Sequence, residues 1–151
     1  MNILFFLTPK AMCAYIESDD TLRQAMERME HSGYAALPVL DKSGKYCGVV
    51  TEGDLLWTLK RLCVMDLRQT EEHSISEIEH RRTVQPVRVD TRVEDLLSVA
   101  AEQNFVPVID DKGDFIGIVT RSRILRYYLQ TNFLHELFSF AGLMLRFLAH
   151  T

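Results

Sequence analysis

The chain contains one pattern twice. Leu37-Pro38-Val39-Leu40-Asp41 recurs as Val106-Pro107-Val108-Ile109-Asp110, Gly44 as Gly113, and Gly48-Val49-Val50-Thr51 as Gly117-Ile118-Val119-Thr120. The offset is the same in each case, 69 residues from Leu37 to Val106 and from Gly48 to Gly117. Such a duplication constrains the fold more than composition does. Each copy has to be one supersecondary unit that buries its apolar face against the other.

The match continues upstream with a small gap. Leu22, Ala25, Met26 and Met29 share their i, i+3, i+4, i+7 spacing with Val93, Leu96, Leu97 and Ala100, so each set makes one apolar helix face. Asp20 precedes the first set, and Thr91 with Glu94 has capping-box spacing before the second. The second copy is shorter between its helix and its Pro-Val strand. Each copy then predicts a strand (35–40 and 105–109), a polar glycine turn, a returning strand (46–50 and 115–119) and a second helix (51 to about 62, 120 to about 129). Short extended pieces are expected near Ala14 to Ile16 and Val87 to Val89. The fold class is therefore α/β, a tandem β-α-β-β-α repeat. Its expected divisions are a first repeat over 1–65, a linker with a short helix over 66–82, a second repeat over 83–131, and a C-terminal helix over 132–151. Ser74 and Glu77 have the spacing to cap the linker helix.

At 151 residues the chain suits one compact domain or two small halves packed together. A net charge of −4 argues against nucleic-acid binding as the main task, and Arg81-Arg82 reads as a solvated pair. Cys13, Cys47 and Cys63 are an odd count without Cys-x-x-Cys spacing, which fits buried reduced thiols in a cytoplasmic protein. The five histidines, His31, His73, His80, His135 and His150, form no convincing metal set. The apolar run Ile3 to Leu7 has no basic flank and is too short for a signal peptide or a membrane span, so it reads as a packing segment.

The Pro-Val-hydrophobic-Asp strand end, the glycine turn, and Gly-hydrophobic-hydrophobic-Thr-x-x-Asp resemble the CBS-domain family, over roughly Pro9 to Tyr128. The resemblance implies a pseudo-twofold pair, or Bateman module, with adenosine-containing ligands held in clefts between the repeats. It is similar to the stand-alone bacterial CBS-pair proteins, some of which sense cyclic di-AMP.

Thr51-Glu52-Gly53-Asp54 falls where a strand feeds a helix N-terminus, a place of unpaired N–H groups suited to phosphate. Asp54 is suited to accept from a ribose diol, and Thr51 to bond phosphate or ribose. The same spacing also makes a capping box that needs no ligand. The second copy departs from the family, reading Thr120-Arg121-Ser122-Arg123. Arg121 and Arg123 suit an anion, or else a solvated helix face. Two unequal clefts are expected, one for a nucleoside and one for phosphate. The resemblance places the adenine slot at Ala14, Tyr15, Tyr34 and Ala36 and at Val87 and Phe105. Tyr34 and Phe105 are candidates for base stacking, with ordinary core packing as the alternative.

The tail is unusually apolar. Phe133, Leu134, Leu137, Phe138, Ala141, Met144, Leu145 and Leu148 form a helical stripe that Phe140, Leu143 and Phe147 widen. A helix apolar on most sides has to be buried, so a homodimer contact is expected. No residue set places a general base beside a nucleophile, so no enzyme activity, catalytic residue or metal is expected. No cofactor is required. The expected ligand is an adenine nucleotide (AMP, ADP, ATP or cyclic di-AMP), and the expected partners are a second copy and a protein effector, with neither nucleic acid nor membrane. The competing reading is a structural dimerisation protein whose clefts bind nothing.

Overall fold

Each copy is built on a β-hairpin that starts at the Pro-Val motif. In the computed structural model β3 (Ala36–Leu40) pairs antiparallel with β4 (Tyr46–Thr51), and β6 (Phe105–Ile109) with β7 (Phe115–Thr120). The registers correspond: Leu37 lies opposite Val50, and Val106 opposite Val119. Both hairpins slip register at the same place, after Val39 and after Val108. The turns match as well. Asp41 Oδ1 accepts from the N–H groups of Ser43 and Lys45, and Asp110 Oδ1 from those of Lys112 and Asp114. Short strands β2 (Ile16–Glu17) and β5 (Val87–Arg88) add parallel to β3 and β6. The structure describes residues 1–79 and 84–148, with side chains through Arg146. His80, Arg81-Arg82, His150 and the side chains of Phe147 and Leu148 lie outside the described residues.

The first helices differ in how they start and stop. α1 (Leu22–Ser32) is capped by Thr21, whose hydroxyl accepts from the Gln24 N–H while the Gln24 side chain accepts from the Thr21 N–H. Asp20 is instead buried, accepting from the Glu17 N–H and from Arg28. The capping box expected from Thr91 and Glu94 does not form. The Thr91 hydroxyl accepts from the Arg88 N–H, closing the turn after β5, and α3 (Val93–Glu102) starts from Arg92 without a side-chain cap. At their far ends, α1 stops on Gly33 at φ 72°, whereas α3 runs directly into extended Gln103. The left-handed turn at Gly33 accounts for the longer link in the first copy.

Core membership crosses the division of the chain at 65 and 83. Ile75 and Ile78, from the joining stretch, are buried with Ile16, Leu22, Leu37 and Val50. Ser74 and Glu77 cap the short 3-10 turn Ile75–Glu77 that delivers them. Ile3 and Phe6, from the N-terminus, are buried with Leu96, Val106, Val108 and Val119 of the second copy. The packing reading of Ile3 to Leu7 thus holds, but the segment packs on the distant half. It leads into β1 (Thr8–Pro9), which pairs antiparallel with β7 and gives a sheet ordered β1-β7-β6-β5 beside one ordered β2-β3-β4. The hairpin turns also meet: Tyr46 N–H donates to Gly113 O at 3.3 Å and Phe115 N–H to Gly44 O at 3.0 Å.

The second helices diverge most. α2 (Glu52–Arg61) is short, while α4 (Arg121–Leu148) is a single helix of 28 residues. The expected break between residues 129 and 133 is absent, because Gln130-Thr131-Asn132 contains neither Gly nor Pro to stop the helix. Ile124 is buried, and Tyr127 meets Phe5 and Phe6 edge to face at 5.2 and 5.3 Å. Beyond Leu129 every side chain through Arg146 is exposed. Within one chain, therefore, the apolar tail is not buried. Among the described residues no helix is long and apolar enough to cross a membrane.

Gly117 and Gly48 are matched positions with different surroundings. Both have positive φ, 156° and 150°. A Cβ on Gly117 would fall 2.2 Å from Thr8 O and 3.1 Å from Pro9 Cα, whereas a Cβ on Gly48 meets nothing within 4 Å. Gly117→Ala is expected to cost about 1–3 kcal/mol more than Gly48→Ala in urea unfolding, because only it pushes β1 off β7. Equal losses would show that β1 does not hold the second sheet.

Candidate functional site

Two clefts lie between the copies, and equivalent elements line them. The first, of ≈ 500 Å³, is formed by Ala36, Val49 and the start of α2, facing Val84, residues 102–105 and Arg121 of the second half. The second, of ≈ 440 Å³, is formed by Phe105, Ile118 and the start of α4, facing Met12 to Ala14 and Tyr34 to Pro38 of the first half. Thr51 and Gly53 in one cleft correspond to Thr120 and Ser122 in the other.

At the first cleft the capping box is formed in full. Thr51 Oγ1 accepts from the Asp54 N–H at 3.0 Å, and Asp54 Oδ2 accepts from the Thr51 N–H at 2.9 Å. Asp54 Oδ1 makes no hydrogen bond among the described residues, and Asp54 lines the cleft. One carboxylate thus caps the helix and still offers an oxygen to a ligand.

In the second copy Thr120 Oγ1 accepts from the Arg123 N–H at 3.2 Å, but no carboxylate closes the box. The Arg123 guanidinium reaches across to Thr8 Oγ1 at 3.2 Å and so ties α4 to β1. Arg121 has a third role that neither the anion nor the solvated-face reading describes. Its Nε donates to Ala100 O at 2.8 Å and its Nη2 to Ala101 O at 3.1 Å. The planar fork thereby caps the carbonyl end of α3, where positive charge is favourable. Arg121 lines both clefts, with Nη1 unbonded among the described residues.

The remaining expected residues divide. Phe105 and Ala36 line both clefts, and Ala14 and Tyr34 line the second. Tyr34 is 57% exposed, so core packing does not explain it. Three residues lie in neither cleft. Val87 is buried in the second core opposite Val108, because its position in β5 points it inward. Tyr15 carries Lys10 Nζ at 5.7 Å from its ring, and its carbonyl accepts from Arg28. Arg123 is turned to Thr8.

Sequence reasoning overlooked Trp57, Asn104 and Glu102. Trp57 lines the first cleft one helical turn beyond Gly53, and a Cβ on Gly53 would lie 3.9 Å from its Nε1. The signal was present, because this is the chain's one tryptophan and it stands at i+4 from that glycine. Asn104 and Glu102 come from the opposite copy and carry no local signal. The clefts also differ in charge. Among the described residues, Asp54 and Glu102 line the first together with Arg121, whereas the second has Arg121 and no acidic residue. Cys13 lines the second cleft, and burial pushes its thiol above the usual range. Cys13, Cys47 and Cys63 are all free thiols, but they are not the buried thiols expected: Cys13 is half-buried, and Cys47 and Cys63 are exposed.

Arg121→Lys is expected to lower unfolding stability by about 1 kcal/mol without any ligand, because a single ammonium does not reproduce the two-carbonyl fork. Unchanged denaturant midpoints would remove Arg121 from the cap of α3.

The sequence matches the family model of the CBS domain over residues 10–61 and 75–130. The chloroplastic CBS domain-containing protein CBSX1 of Arabidopsis thaliana is 24% identical over 83% of this chain, which spans 63% of that protein's length. The structure resembles CbpB of Listeria monocytogenes in complex with c-di-AMP (TM-score 0.77, 20% identity, covering 87% of this chain and 98% of that one). It also resembles CBSX2 in complex with AMP (TM-score 0.69, 26% identity, covering 87% and 98%). With two matched segments in register with its two hairpins, the chain belongs to the CBS-domain family.

Proposed function

We propose that the chain is a regulatory ligand sensor, and not an enzyme, that binds an adenine nucleotide between its repeats. The observation that carries this reading is the first cleft, where the free oxygen of Asp54 and the Trp57 side chain line a space of ≈ 500 Å³ with Arg121 across from them. A carboxylate oxygen suits a ribose diol, an indole suits a base, and a guanidinium suits a phosphate. CbpB bound to c-di-AMP and CBSX2 bound to AMP are folds of the same kind and support it. The second cleft, with Arg121 and no acidic lining, is the better place for a phosphate-rich or bis-phosphate ligand. The chain acts in the cytoplasm as a homodimer, and occupancy shifts the packing of the repeats for a protein effector to read.

The rival reading, a dimerisation protein with empty clefts, draws on the complete Thr51–Asp54 capping box, which is sufficient reason for both residues. Thermal unfolding with AMP, ADP, ATP and cyclic di-AMP separates the two. A nucleotide at 100 times its Kd stabilises by about 2.7 kcal/mol. Asp54→Ala is expected to abolish that increment in addition to its fixed capping loss of about 1 kcal/mol. No shift with any of the four nucleotides overturns the sensor reading.

A further inference from the structure

The unexplained feature is the tail of α4, which extends about 30 Å beyond Tyr127 at 1.5 Å per residue. Asn132, Ser139 and Arg146 recur at every seventh position and form one polar row, flanked by His135 and Gly142 on one side and by Glu136 on the other. A seven-residue period is that of helices wound on other helices. In that register Leu134, Leu137, Ala141 and Met144 form the central seam. Phe133 and Phe140 flank it on one side, Phe138 and Leu145 on the other. Leu143 alone among the large apolar residues falls in an outer row.

The area is that of an interface. The eight large apolar side chains from Phe133 to Leu145 are 51% to 74% exposed. At about 100 Å² apiece they present on the order of 800 Å², above the ~300–600 Å² of a monomer's usual largest patch and equal to one partner's share of a standard interface. An apolar face that includes both flanks is wider than a single facing helix covers. The outer face carries His135, Glu136, Ser139 and Arg146 and no lysine, which is poorly suited to an anionic lipid surface.

We propose that the occupant of this face is the same helix from further copies of the chain: the α4 tails form a self-associating bundle along Leu134, Leu137, Ala141 and Met144, with the phenylalanine flanks against second neighbours. This rests on the dimer part of the reading above and extends it, since the flanks bring in copies beyond a single partner, and it does not depend on nucleotide binding. The side chains concerned are exposed in the single chain, so substituting them leaves the repeats intact.

The test is sedimentation velocity over a concentration series on the full chain and three variants. Leu137→Glu and Met144→Glu place charge in the seam, and Ser139→Glu places it in the outer row. The expected result is that the full chain and Ser139→Glu self-associate, while both seam variants associate roughly tenfold or more weakly, with unchanged thermal unfolding at the dilute end of the series. A full chain that stays monomeric, or seam variants that sediment like the full chain, overturns the proposal. Monomeric chain that floats with phosphatidylserine vesicles also overturns it and assigns the face to lipid. Nucleotide-induced thermal shifts on the same variants report on the sensor reading separately, since neither seam residue lines a cleft.

Discussion

Pairing of β1 with β7 across Gly117 is the contact on which the arrangement of this molecule depends. A single β-α-β-β-α unit of this size buries too little apolar surface to be comfortable alone. Here neither half is completed by its own residues. Ile3 and Phe6 are carried into the second core by the segment that leads to β1, and Ile75 and Ile78 close the first core from the joining stretch. Separating the halves would therefore open both cores. The hairpin turns add hydrogen bonds at the opposite end, through Gly44 and Gly113. The two clefts inherit their shape from these ties, because each is lined by a helix start from one copy and strand ends from the other.

The two copies differ at their matched helix starts. In the first, Asp54 closes the helix cap and faces the cleft. In the second, Arg123 gives up that role and binds Thr8 on β1. Arg121 is drawn to the end of α3, so its Nε and one Nη2 hydrogen are engaged before any ligand arrives. Both arginines are thus structural first. Nη1 of Arg121 and the second Nη2 hydrogen make no hydrogen bond among the described residues.

Much of the fold was legible in the residues. The duplicated Pro-Val and Gly-Val-Val-Thr segments announced two hairpins in matching register, and their apolar spacing announced the first helix of each copy. Capping was less legible. Thr91 and Glu94 have the right spacing, but the Thr91 hydroxyl is taken by Arg88, whereas Thr21 and Gln24 form the box that was not named. Thr51, Asp54, Ala36, Phe105 and Tyr34, marked out by their place in the motif, line the clefts. Val87 lies in the core and not in a cleft because an extended segment sends neighbouring side chains to opposite faces, whereas Tyr15 is half-buried under Lys10 and belongs to neither.

By itself the sequence determined the repeat, its strands and turns, the inequality of the two Thr-x-x-Asp positions, and an apolar tail in need of cover. These follow from local spacing, which depends on backbone geometry alone. Only the tertiary structure decided that the N-terminus serves the distant half, that Arg121 and Arg123 bind protein, that Trp57 enters the first cleft, and that the tail stands clear of its own chain as one continuous α4. Those outcomes depend on which surfaces meet across long stretches of chain, and no local pattern encodes that.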